Sequence, residues 1–418
     1  MTERLKLLSL FSGCGGMDLG FEGGFSAFSQ SIPQTEEFVE KELDNSFVKL
    51  KETRFQITFA NDILPSAYRL WTHNFSKLFG YKKSLFHEES IVDIVKRAEI
   101  GSFEFPNNID IVIGGFPCQD FSIAGKRLGF SSNKSHKGGI IQEDNTSNGE
   151  SRGTLYSWMK KVIEITKPKM FIAENVKGLT NLGNALYIIQ KDFSSAADDG
   201  YFVFPPRVLH AADYGIPQSR ERVFFIGVRK SALRANVRKA LINGYLSKDL
   251  SPYPLPTHTY TTYKSDLLPM VSLRSIFKDL DEPYKTKDIS QKHYSKAKYM
   301  GSHCQGQKEI NLDDIGPTIR AEHHGNIEFR RLSRENGGQY YDELEKGFIQ
   351  RRLTLRECAL IQSFPYEFDV VIPSQIKNKK FFLSPSDGYK LIGNAVPPLL
   401  AYHIAKRVES LWDIYFNN

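Results

Sequence analysis

"LLSLFSGCGGMDLGFE" (residues 7–22) runs an apolar stretch into three glycines and then into a segment able to open a helix. The apolar run "LKLLSLF" (5–11) reads as a buried strand. Gly13, Gly15 and Gly16 let the backbone turn sharply and approach a ligand closely. Strand, glycine turn and helix form the opening unit of nucleotide-binding α/β folds. The turn is not the GxGxxG dinucleotide fingerprint, and a plain tight βα turn is the competing reading. Asp62 closes the next apolar run, "ITFAND" (57–62), where an acidic side chain would accept two ribose hydroxyls. It lies more than 40 residues past the turn instead of the usual ~20. An insertion over 26–54 accounts for the excess.

The same alternation continues through the first half. "IDIVIGG" (109–115), "KPKMFIAENV" (167–176) and "RVFFIGVR" (222–229) read as strands, and "PSAYRLWTHNF" (65–75) and "LYSWMKKVIEIT" (155–166) as helices. Buried strands separated by helices predict an α/β fold with a doubly wound, mostly parallel sheet. Composition changes after residue 230. Residues 231–340 are irregular and hold 17 Lys and Arg against 12 Asp and Glu, so most of the net charge of +7 lies there. Regular patterns resume at "RRLTLRECALIQSFP" (351–365) and "LIGNAVPPLLAYHIAKRVESLW" (391–412). The predicted organisation is a catalytic part at 1–230, a smaller irregular part at 231–350, and a segment at 351–418 that returns to the first. Two polar stretches, 26–54 and 131–153, read as mobile insertions.

Composition narrows the class. Of 418 residues, 40% are hydrophobic and 25% charged, as in ordinary globular proteins, and the length predicts two domains. No stretch approaches the ~20 apolar residues of a membrane span. Cys14, Cys118, Cys304 and Cys358 lie far apart with no CxxC pair, which argues against a zinc site and a disulfide framework. A reducing, cytoplasmic setting is expected. The basic balance fits a polyanionic partner.

"FPCQDFS" (116–122) places Cys118 directly after a proline at the mouth of a strand. A structural cysteine belongs inside an apolar run, whereas α/β proteins keep their chemistry at strand ends. Taken in order, "FSGCGG", "GGFPCQDFS", "ENVKGL" (174–179), "QSRERVFFIG" (218–227), "RRLTLRECALIQSFP" and "GNAVPPLLA" (393–401) resemble the bacterial DNA (cytosine-5)-methyltransferases of type II restriction–modification systems. The resemblance covers roughly 5–230 and 350–410. Residues 231–350 fall where that family keeps its target-recognition domain.

The resemblance implies a methyltransferase Rossmann-like fold and S-adenosyl-L-methionine as cofactor. Phe11, Gly13, Gly15 and Gly16 would hold its methionine part, Asp62 its ribose, and Ile63 its adenine. Asp93 and Ile94, in "EESIVDIVK", would serve the adenine amino group, and Asn394 would complete the pocket. It also implies double-stranded DNA as partner, a monomer, and a restriction endonuclease sharing the target site without direct contact.

Cytosine C5 is a poor nucleophile, and a thiolate adding at C6 makes it enamine-like. Cys118 is the thiolate that the resemblance implies. Glu174, at the end of the next strand, would act at N3 and needs burial to raise its pKa. Arg222 would clamp the cytosine O2, with Arg220 in support. The base must be flipped out of the duplex, and a loop at 119–153 with Ser122, Lys126 and Arg127 would fill the gap. "TIRAEHHGNIEFRRLSRENGG" (318–338) carries Arg320, Arg330, Arg331 and Arg334, residue types that read base edges or hold phosphates. Singly, each signal has a plainer reading. Cys14 is a small turn residue, Cys304 and Cys358 are buried hydrophobes, Glu174 is a helix-cap carboxylate, and Arg220 and Arg222 are surface charges. The pair His323–His324 lacks further ligands at zinc spacing and reads as a polar loop or DNA contact. A transfer-RNA methyltransferase of the same family and a silent DNA-binding regulator are the alternatives. The long irregular region argues against the first and the intact Cys118, Glu174, Arg220 and Arg222 against the second.

Overall fold

The apolar runs form strands because both of their faces are covered. The computed structural model describes residues 4–43, 46–117, 155–244, 247–260, 266–321 and 327–417. In it β1 (Leu5–Leu10), β2 (Phe55–Asp62), β3 (Phe86–Glu88), β4 (Ile111–Gly115) and β5 (Met170–Val176) run parallel. β6 (Tyr201–Val203), β7 (Arg207–His210) and β8 (Glu221–Arg229) complete an eight-stranded sheet of order β7-β8-β5-β4-β1-β2-β3, with β6 also on β8. β8 is antiparallel to each of its neighbours. The doubly wound, mostly parallel sheet read from the sequence is the fold observed.

Successive strand residues point to opposite faces. Ile111, Ile113, Ile172, Phe224 and Ile226 pack with α1 (Gly16–Glu22), α2 (Pro65–Phe79) and the C-terminal helices. Val112, Phe171, Ala173, Val223 and Phe225 pack with α3 (Ile91–Glu99), α4 (Leu155–Thr166) and α5 (Ala185–Ser194). This double cover is why the strands read as continuous apolar runs instead of alternating ones. Strand order reverses beside β1, since the chain leaves it for β2 and β3 on one side and returns to β4 on the other. A crevice opens outside the carboxyl ends of the strands at such a point. The glycine turn and the "FP" of "FPCQ" both leave the sheet there.

Two expectations change. Residues 26–54, read as a mobile insertion, contain a three-stranded antiparallel sheet of Ser26–Phe28, Phe47–Leu50 and Val39–Glu42. Phe25, Val48 and Leu50 bury their side chains in the main core. Tyr402 donates to the carbonyls of Phe38 and Lys51, both at 3.1 Å, and Glu367 accepts from the backbone N–H and hydroxyl of Ser26. Short apolar runs that pack against another element carry no clear periodicity of their own. The second stretch, 131–153, lies outside the described residues. Packing also does not change where composition does at 230. Val237 and Leu241 of the helix Ala235–Ile242, with Tyr253, enter the same buried cluster as Phe224.

The C-terminal segment supplies α6 (Leu355–Ile361), α7 (Pro385–Asn394) and α8 (Pro398–Tyr415). α6 opens with a capping box, Thr354 and Glu357 each satisfying the other's backbone N–H. α8 crosses α1 so closely that a Cβ on Gly20 would lie 2.4 Å from the Pro398 carbonyl oxygen and 2.5 Å from the Ala401 Cβ. Alanine in a helix interior normally gains ~0.5–1 kcal/mol over glycine. Here overpacking, typically ~1–3 kcal/mol, outweighs that gain. Gly20→Ala is therefore expected to lower the urea midpoint, and a raised midpoint would show that α1 and α8 are not in this contact.

Candidate active site

Two strand ends build the first half of the site. Leu10 pairs with Asn61 across β1 and β2, and the Ser12 N–H donates to the Asn61 carbonyl at 2.8 Å. Asp62, last in β2, accepts from the N–H of Gly13 and of Leu64, both at 2.9 Å. Burial pushes this carboxyl up, and the N–H groups of Leu64, Gly13 and Ile63 and the charge of Lys390 pull it back. Phe11 enters the turn in the left-handed region at φ 53°, a conformation that costs a non-glycine residue energy and clusters at ligand sites. Ile63 presents an apolar side chain that is 39% exposed.

The glycines divide into two kinds. Gly13, at φ +55°, has nothing within 4 Å of where a Cβ would stand, so it borders open space. A Cβ on Gly15 would meet Phe75 at 2.4 Å, and one on Gly16 would meet the Val396 carbonyl at 2.3 Å. Gly15 and Gly16, assigned to the cofactor from sequence, are also required by packing. The Ile94 side chain is fully buried among Leu10, Phe59 and Val112. Asp93 is half-buried in the first turn of α3, and Asn394 is exposed at the end of α7. An open glycine cradle, a carboxylate aimed from a strand end and an exposed apolar side chain fit a nucleoside cofactor with a polar tail.

The second half lies across β4, β5 and β8. Gly115 pairs with Glu174, and Phe224 pairs with Glu174 on the other side. Two positions from Phe224, Arg222 brings its Nε to 3.0 Å from the Glu174 Oε1, with both side chains largely buried. Gly115 makes room for this carboxylate, since a Cβ there would stand 2.7 Å from its Oε2. Burial pushes the Glu174 carboxyl up, while Arg222 and Arg220 pull it back without cancelling the rise. Asn175 donates to the Phe116 carbonyl at 3.2 Å and so holds the segment that leads to Cys118. A carboxyl of raised pKa, able to take up a proton, beside a fixed guanidinium donor suits a flat ring with neighbouring nitrogen and oxygen acceptors. Cys118, Ser122, Lys126, Arg127, His323 and His324 lie outside the described residues. Cys14 and Cys358 are buried, which pushes both thiols up and leaves them inert, and Cys304 is half-exposed.

Arg220 is not the surface charge of its plainer reading. It is 1% exposed and donates to the carbonyls of Ile319 at 3.1 Å, Gly393 at 3.0 Å and Ala395 at 2.8 Å. Its guanidinium is engaged with backbone, so it positions other groups instead of facing a substrate. Sequence reading missed Asn175, Gln218 and Gln362, whose roles are hydrogen bonds to distant backbone. For Asn175 and Gln362 the signal was a polar residue in a mainly apolar run, and Gln218, in "QSRER", carried none.

Two of the four arginines chosen as DNA contacts, Arg330 and Arg331, are internal. Arg331 is 1% exposed and bonds Glu282 at 2.9 Å and Glu343 at 2.6 Å. Arg330 bonds Glu343 at 2.9 Å, and Arg351 joins Glu282 at 2.9 Å to Glu357 at 2.8 Å. Arg331 and Arg330 thus belong to an internal ion cluster, which carboxylates of the same region complete. Arg320 pairs with Glu328 at 2.6 Å and is partly exposed, while Arg334, 58% exposed, pairs with Glu345. Basic charge instead gathers where Lys292, Lys296 and Lys380 converge on His293, whose imidazole burial and these three charges push down. Breaking a buried ion pair costs ~3–5 kcal/mol, and the lower end applies here because Arg330 and Arg351 still hold the same carboxylates. Arg331→Ala is expected to lose that stability in urea denaturation. A variant of unchanged stability and weakened DNA binding would instead return Arg331 to the DNA-contact set.

The comparisons with known proteins agree with this geometry. A family model described as C-5 cytosine-specific DNA methylase matches residues 5–410. Type II methyltransferase M.BsuRI of Bacillus subtilis is 31% identical over 431 aligned positions, spanning 99% of this chain and 81% of its own. M.FnuDI of Fusobacterium nucleatum is 29% identical over 416, spanning 98% and 96%. Among solved structures, the Entamoeba histolytica methyltransferase EhMeth superposes with a TM-score of 0.52 at 15% identity, covering 99% of each chain. The Schizosaccharomyces pombe Dnmt2 methyltransferase gives 0.52 at 14%, covering 98% and 99%. At those identities the two structures speak to the fold alone. With the family model spanning nearly the whole chain, the protein belongs to the C-5 cytosine-specific DNA methylases and is a DNA (cytosine-5)-methyltransferase of the type II restriction–modification kind.

Proposed function

We propose that this methylase acts on a cytosine flipped out of double-stranded DNA, with Cys118 bonding covalently to C6 and S-adenosyl-L-methionine as methyl donor. The observation that carries the reading is the Glu174–Arg222 pair, held at the strand edge beside the Phe116–Pro117 segment that runs into Cys118. The Cys118 thiolate adds to C6, and the electron pair of the C5=C6 bond moves into the ring. Glu174 donates a proton to N3 and Arg222 a hydrogen bond to O2, which together accommodate that charge. C5 is then enamine-like and nucleophilic. S-adenosyl-L-methionine, when bound, would supply an electrophilic methyl group to C5, its sulfonium leaving as the neutral thioether. Loss of the C5 proton to a base restores the C5=C6 bond and expels the thiolate, and N3 returns its proton to Glu174.

Gly13, Asp62, Ile63 and Phe11 are the residues assigned to the cofactor, with Asp93 and Asn394 at its margins. A stacked cytosine cannot reach a carboxyl buried at a sheet edge, so extrusion at a cost of a few kcal/mol is part of the reading. Residues 119–153, with Ser122, Lys126 and Arg127, are assigned to fill the vacated stack. Residues 231–350 are assigned to sequence recognition, with Arg320 and Arg334 the remaining candidates of the four arginines. A monomer in the cytoplasm, and an endonuclease sharing the target, complete the proposal.

Duplex DNA carrying 5-fluorocytosine at the target tests the chemistry, because fluorine cannot leave as a proton does. A denaturation-resistant adduct is expected, and it should vanish in Cys118→Ser; trapping that persists in that variant would overturn the assignment. The geometry supplies a second test. In Gly115→Ala the added methyl displaces the Glu174 carboxylate, and misplacements near 1 Å cost ~10²-fold in rate. Turnover is expected to fall by about that factor with S-adenosyl-L-methionine affinity retained, as read by single-turnover methylation and equilibrium dialysis.

A further inference from the structure

The residues that lead into β8 are zipped to a segment of the irregular region. The Gly316 N–H donates to the Pro217 carbonyl and the Ser219 N–H to the Gly316 carbonyl, both at 2.8 Å. Thr318 Oγ1 donates to the Ser219 carbonyl. The Ile319 N–H donates to Gln218 Oε1 at 3.3 Å, and Arg220 Nη1 to the Ile319 carbonyl at 3.1 Å. Gln218 and Gln362 are both fully buried, at 0% exposure. Gln218 Nε2 donates to Gln362 Oε1 at 2.6 Å and to the Ile361 carbonyl at 3.2 Å. Gln362 Nε2 donates to the Ala395 carbonyl at 2.6 Å. A Cβ on Gly393 would lie 2.3 Å from the Arg320 carbonyl, so the same segment also presses on the "GNAVPP" loop.

An apolar pair of this size would fill the same space and tolerate small slips. Two buried amides do not, because each donor needs its own acceptor and an unmet one is costly. Any shift of residues 316–321 therefore breaks bonds to Gln218 or Ser219. Arg222 stands four residues beyond Gln218 on a strand paired on both sides, so a displacement at 218 is carried to the guanidinium beside Glu174.

We propose that Gln218, Gln362 and Thr318 form a positioning clip that makes placement of the Arg222 clamp depend on how the segment 316–321 is seated. The sequence bound by the irregular region then sets the turnover at the flipped base, and not the affinity alone. This rests on the assignment of recognition to 231–350. Thr318→Val keeps the shape and removes one bond, and Gln218→Met keeps the volume and removes three.

The target is first found by methylating a randomised duplex library with the unaltered enzyme. Single-turnover rates are then compared on the target and on duplexes changed at one base pair, per active site counted by 5-fluorocytosine trapping. Loss of the more exposed Thr318 bond is of the size that changes a rate a few-fold, and loss of the three buried Gln218 bonds ~10-fold or more. The target rate is expected to fall by about those factors in Thr318→Val and Gln218→Met while the changed duplexes lose less, so that discrimination narrows. Rates that fall equally on all duplexes, or a lowered melting temperature with unchanged discrimination per active site, would overturn the clip. If Gln218→Met does not fold, Thr318→Val alone decides. An unaltered enzyme with no sequence preference would instead sink the recognition assignment beneath it.

Discussion

The Arg220 guanidinium is the interaction on which the site depends. It is buried and spread over carbonyls from two segments, Ile319 in one and Gly393 and Ala395 in the other, both far along the chain. A buried cation is tolerated only where polar partners replace water, and a planar fork of donors suits several carbonyls at once. Its placement joins β8, the irregular region and the C-terminal loop at one point. Its charge also bears on Glu174, so the node that assembles the site contributes to its electrostatics.

Close backbone approach is the second constraint. The C-terminal segment returns over the glycine turn at distances that exclude any side chain on Gly16 or Gly20, and the Cys14 Sγ lies 3.5 Å from the Leu391 carbonyl. Those contacts hold the turn while leaving Gly13 facing open space. Ligand contact and element packing are thus divided among neighbouring glycines of one motif. Gly115 adds a third use, a vacancy in β4 that the Glu174 carboxylate fills from β5.

Charge is divided in a similar way. Part of the basic charge of the irregular region is internal, because Arg330 and Arg331 are held by Glu282 and Glu343, and Arg351 of the C-terminal segment links Glu282 to Glu357. Such a cluster is weak as a source of stability but demanding in geometry, since each member shares its partners with another. It fixes the region against α6. The lysines around His293 come from two segments, near 292–296 and at 380, that only the fold brings together.

Much of the fold was legible in one dimension. Apolar runs such as 109–115 and 167–176 declare strands covered on both faces, and the glycine turn and "FPCQ" mark the strand ends where a crevice opens. Glu174 and Arg222 were legible because each closes or opens such a run. The role of Arg220, the burial of Ile94 and of Arg331, and the packing duties of Gly15 and Gly16 were not. Each depends on contacts between residues dozens to hundreds of positions apart, and an arginine or glycine is written the same way whether it meets solvent, ligand or a distant carbonyl. The sequence determined which strands form and which chemistry their ends can carry, because period and composition act locally. Tertiary structure alone decided which polar groups face the crevice and which are consumed in holding it together, because burial and partner are properties of the assembled molecule.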